Sequence, residues 1–99
     1  MLLIKIHRAY RNIVALCDEN LLNQTFKEKN MKLHVNERFF KGNEVSEEDA
    51  IRILKTENDK DATFNIVGEK SVKAALKAEI ITKESIIKIQ KIPIALVLM

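Results

Sequence analysis

The feature that most limits what this chain can fold into is the length and pattern of its apolar runs. Leu2 to His7 and Asn12 to Cys17 are short, β-branched in character and joined by the polar Arg8-Ala9-Tyr10-Arg11. Two strand-like runs so close together predict a β-hairpin. Alternation along the first run puts Leu2, Ile4 and Ile6 on one face, the expected core face, and Leu3, Lys5 and His7 on the other. Met31, Leu33 and Val35 alternate with Lys32, His34 and Asn36, which predicts a strand with one buried face. Ala62 to Val67 predicts another strand, broken by Gly68. Ile92 to Leu98 predicts a closing strand buried on both faces, with Pro93 tolerated near its start. The longest apolar run, Ile92 to Met99, falls far short of the roughly 20 residues a membrane-spanning helix needs.

Between these runs lie helix signals. Ser46 can accept from the free N–H groups of a helix start, and Asp49 stands where a capping box takes an acid. Glu47, Glu48 and Asp49 suit the positive end of the helix dipole and are better explained so than as acid–base catalysts. Ala50, Ile51 and Leu54 form the apolar stripe of this helix, which should fade between Lys55 and Asn58. Glu69 to Ala78 predicts a second helix with Val72, Ala75 and Leu76 inward, and Thr82 opens a short third one through Ile87. Leu21, Leu22 and Phe26 suggest a helical turn after Asp18-Glu19-Asn20. A hairpin followed by two strand–helix–strand units predicts one domain over residues 1–99. Its class is α/β, with α+β as the alternative: an N-terminal β-hairpin and a mixed sheet packed by two or three short helices.

Hydrophobic residues make up 46% of the chain and charged residues 31%, a globular balance. One tyrosine, four phenylalanines and no tryptophan leave an aliphatic core and little material for base-stacking platforms. A single cysteine, Cys17, allows no internal disulfide and favours a reducing compartment. Met1 to His7 is too short and too soon charged for an export signal, so a cytoplasmic, membrane-free location is expected. The net charge of +3 conceals an asymmetry: residues 1–43 carry +4, residues 44–61 carry −4 and residues 62–99 carry +3. An acidic segment between two basic ones can steer an anionic partner.

Several stretches, taken in order, resemble a known family. They are Ile4-Lys5-Ile6-His7-Arg8, Val14-Ala15-Leu16-Cys17-Asp18-Glu19, Leu22-Asn23-Gln24-Thr25-Phe26, Phe39-Phe40-Lys41-Gly42, Asn65-Ile66-Val67-Gly68-Glu69 with Val72 and Ala75, and Ile92-Pro93. Together they resemble the archaeal domain-of-unknown-function family 424, most specifically at Ala15 to Glu19 and Asn65 to Glu69. The resemblance implies a small archaeal-type protein of compact α/β form with no established activity. The chain departs from the family's pattern at Asn23 and Glu79, where the family tends to carry glycine. It departs again at Lys91-Ile92-Pro93-Ile94, where the family usually reads Gly-Val-Pro-His.

No constellation of catalytic residues stands out. Cys17 lies beside Asp18 and Glu19, which oppose thiolate formation. Hairpin pairing would also carry His7 away from Cys17. His7 and His34 have no metal-ligand spacing, so neither a metal site nor a cofactor is expected. Lys70, Lys73 and Lys77 share one face of the second helix, and Arg8 and Arg11 flank Tyr10 in the hairpin turn. These five residues are candidates for contact with RNA phosphates by a non-catalytic protein. The alternative partner is a protein or a second copy of the chain. It would use Phe39-Phe40, which cannot both point inward if extended, or an exposed strand edge. The third candidate is a small anion at the strand–Gly68–helix turn, where free N–H groups gather.

Overall fold

The computed structural model describes residues 1–98. β1 (Leu2–His7) and β2 (Ile13–Asp18) form the expected hairpin, with Leu3 opposite Cys17 and His7 opposite Ile13. After a 3₁₀ turn at Glu19–Leu21, β3 (Thr25–Glu28) and β4 (Met31–His34) make a separate two-stranded ribbon. Then come α1 (Glu37–Phe40), β5 (Asn43–Val45), α2 (Glu47–Asn58), β6 (Thr63–Val67) and α3 (Glu69–Lys77). A second 3₁₀ turn at Lys83–Ser85 precedes β7 (Ile87–Ile89) and β8 (Ile92–Val97). Six strands form one mixed sheet in the order β5-β1-β2-β6-β8-β7, in which only β2 and β6 are parallel.

The sheet is the middle of three layers. On one face Leu2, Ile4, Val14, Leu16, Phe64, Ile66 and Ala95 meet α2 through Ala50 and Leu54, and α3 through Val72, Ala74 and Ala75. On the other, Leu3, Ala15, Cys17, Val67 and Ile94 lie beneath Leu21, Val35 and Phe40. α2 starts as its sequence dictates, with Ser46 Oγ accepting from Asp49 N at 3.1 Å.

Five expectations need correction. Leu3, assigned to the polar face of β1, is buried, because the ribbon and α1 give the sheet a second core. Phe26 belongs to β3, opposite Leu33, and not to a helical turn. Phe39 and Phe40 stand on a helical turn, so the conflict of an extended pair does not arise: Phe40 is buried and Phe39 stacks on the His7 ring at 4.6 Å. The helix expected through Ile87 is a 3₁₀ turn followed by the edge strand β7. β8 is buried at Pro93, Ile94 and Ala95, but Leu96 is 55% exposed, beyond the reach of the ribbon.

Candidate functional site

β2 and β6 run parallel and end side by side at Asp18 and Gly68, the position at which α/β sheets commonly bind ligands. A cleft of about 320 Å³ opens there, lined by Met1, Asp18, Glu19, Leu21, Glu69 and Lys70 among others. Gly68 caps α3 with φ 110°, a conformation open to glycine and costly to other residues, and it offers no capping side chain. The missing cap comes from 50 residues earlier in the chain. The buried Asp18 carboxylate accepts from Lys70 N at 3.1 Å, Ser71 N at 2.8 Å and Ser71 Oγ at 2.8 Å. A Cβ on Gly68 would run into that carboxylate. The helix N-terminus that the sequence marks as an anion site therefore holds an anion of its own. In the sequence Asp18 reads as a turn or cap residue and as an acid beside Cys17. The signal that points to it is a helix start, Gly68-Glu69-Lys70-Ser71, whose N-cap has no side-chain acceptor.

The five basic candidates stand on two elements, the lysines on α3 and the arginines in the β1–β2 turn. α3 runs away from the Asp18 end of the sheet, and its three lysines line its exposed edge. Lys77 Nζ bonds Glu47 Oε1 at 2.8 Å across the α2–α3 groove. That bond, helped by Lys73, holds the Glu47 carboxyl below its ordinary range. Part of the lysine ridge thus serves the acidic start of α2. Arg8 and Arg11 lie in the β1–β2 turn and have no carboxylate within ion-pair distance among the described residues. Arg11 Nη1 instead donates to the Asp61 carbonyl at 3.4 Å. Tyr10, between them, is wholly exposed.

The remaining polar groups support structure. Burial, with Asp18 and Glu19 beside it, pushes the Cys17 thiol up to about 12, far from a nucleophile's range. His7 Nε2 lies 2.9 Å from the Phe39 carbonyl, and His34 Nδ1 lies 2.8 Å from Thr25 Oγ1. Glu57, buried at the C-terminal end of α2, accepts from Asn12 Nδ2 at 3.0 Å and so ties that helix to the start of β2. No cluster of three metal-ligating side chains occurs among the described residues. Nor, among them, is any helix long and apolar enough to cross a membrane.

The family described as "Protein of unknown function (DUF424)" matches residues 7–99, and the chain belongs to it. Among solved structures, the chain is similar to an uncharacterized conserved protein from Methanopyrus kandleri. The TM-score is 0.86 at 24% identity, over 96% of this chain and 88% of the other, which establishes a shared fold. No curated protein matches the chain.

Proposed function

We propose that this family member is a non-catalytic RNA-associated protein that meets the phosphate backbone at its β1–β2 turn. The observation that carries the reading is Tyr10, 101% exposed between Arg8 and Arg11. An aromatic ring held fully in water contributes nothing to the core. Beside two guanidinium groups with no carboxylate partner among the described residues it offers a base something to stack on and a phosphate something to pair with. The α3 lysines support the same reading less, since Lys77 is engaged by Glu47.

Titration with single-stranded RNA over a salt series tests it. Replacing Arg8 and Arg11 by glutamate should flatten the log–log salt slope by about 1.4, from about 0.7 per phosphate contact. Tyr10→Ala should weaken binding by about tenfold, equivalent to about 1.4 kcal/mol of lost stacking, and leave the slope unchanged. Absence of binding at low salt would overturn the reading. The Lys70→Glu, Lys73→Glu, Lys77→Glu variant should change the slope less than the arginine variant.

A second reading, a protein-interaction module or homodimer, is favoured by a different observation. Ile87, Leu96 and Leu98 are 52%, 55% and 76% exposed. Small-anion binding at Gly68 has the least support, because Asp18 already takes the donors at the start of α3.

A further inference from the structure

Lys27 and Lys32 are direct cross-strand partners in the β3–β4 ribbon. Residues so paired hold their Cβ atoms about 5 Å apart on one face, and like charges there destabilise the pair. Both lysines are exposed, and neither has a carboxylate within ion-pair distance among the described residues. Thr25 and His34 share this outer face, while Phe26 and Leu33 turn inward onto the second core.

Two further lysines crowd the same corner. Lys29 sits in the ribbon's turn at φ 55° and Lys91 in the β7–β8 turn at φ 68°, in the left-handed region that disfavours side chains. The two turns are stitched together: Lys27 N donates to Gln90 Oε1 at 3.1 Å, and Gln90 N to Glu28 Oε1 at 2.8 Å. The only acid in the stitch, Glu28, is thereby committed to a backbone N–H. Four cations are thus gathered at one corner, two at the expense of cross-strand repulsion and two at the expense of backbone conformation.

We propose that this corner is a second RNA-phosphate contact, at the end of the sheet opposite the Arg8–Arg11 turn. An anionic partner converts the repulsion of Lys27 and Lys32 into attraction for a shared phosphate, and a polyanion engages all four lysines at once. The inference rests on the RNA reading and assigns it a second surface.

The test titrates the full chain with a labelled single-stranded oligouridylate over a salt series, comparing wild type, Lys32→Glu and Lys91→Gly. Lys32→Glu places opposite charges across the ribbon, and Lys91→Gly relieves a left-handed residue. Both variants should therefore resist denaturant at least as well as wild type, which separates lost binding from lost folding. Each should bind several-fold more weakly and flatten the salt slope by about 0.7. Affinity and slope unchanged in both, with binding still weakened by Arg8→Glu and Arg11→Glu, would overturn the corner and leave the RNA reading standing. The lysines would then only guard the ribbon's free edges. No binding by wild type at low salt would remove the reading and the corner together. Binding to phosphatidylglycerol vesicles but not to the oligouridylate would overturn the RNA contact in favour of a lipid headgroup.

Discussion

At the scale of single residues, Asp18 and Gly68 define each other. The carboxylate reaches the N–H groups of α3 only because no Cβ stands in its way, and the helix start has no nearer acceptor. Asp18→Ala should destabilise by about 2–4 kcal/mol, since it strands buried donors that a charged acceptor satisfied. Gly68→Ala should cost at least about 2 kcal/mol, from the strained φ and the collision together. Urea denaturation with unchanged m-values would read both. Little of this node is legible in the sequence. The glycine announces a turn, but its partner is 50 positions away, and no local pattern links them. Asn23, Glu79 and Lys91 are residues other than glycine held in the left-handed region. All three have positive φ, at 69°, 61° and 68°. Glu79→Gly should accordingly stabilise the fold by about 1 kcal/mol, measurable as a rise in the urea midpoint. Cys17 adds a pH dependence. Its folded-state pKa lies above the unfolded value, so its contribution is complete below about pH 9 and is lost as pH rises toward about 12. Between about pH 8 and 10 the urea midpoint of wild type should therefore fall more than that of Cys17→Ala.

At the scale of elements, legibility follows how much of an element's cause is local. α2 carries its own start signal, its apolar stripe and its fading end, and it lies where the sequence predicts. Ser46→Ala should cost about 1 kcal/mol, seen as a lower midpoint at constant m-value, because Asp49 N loses its acceptor. The β1–β2 hairpin is likewise local. β5 and β7 are not: each has three residues and exists because a longer strand beside it offers free backbone groups, β1 to Asn43–Val45 and β8 to Ile87–Ile89. Three residues carry no readable periodicity. α1 escapes for the same reason, and with it the true setting of Phe39 and Phe40. The candidate site divides along the same line. Arg8, Tyr10 and Arg11 are contiguous and could be read, whereas the four-lysine corner is assembled by two turns from distant segments.

At the scale of the molecule, the two faces of the sheet are covered unequally. α2 and α3 span the first, while on the second the ribbon and α1 lie over β1, β2 and the start of β8, with α1 reaching His7 through Phe39, and leave Leu96 of β8 exposed. Leu96, which follows Ile94 on the same face, and Leu98 beyond it lie toward the end bearing the β1–β2 turn. A stable interface buries about 800 Å² on each partner, an appreciable share of the 6205 Å² exposed here, so three aliphatic side chains are too few by themselves. A dimer through this face would have to enlist its half-buried neighbours Ile13, Thr63 and Asn65 as well. Sedimentation equilibrium distinguishes the readings. If the face is a dimer interface, wild type sediments as a dimer at micromolar concentration and the Leu96→Glu, Leu98→Glu variant as a monomer. Both positions are exposed in the monomer, so each substitution should leave monomer stability within about 0.5 kcal/mol. A wild-type monomer throughout that range would sink the self-association reading. The open face would then be ordinary aliphatic surface, and RNA contact would remain the function to pursue.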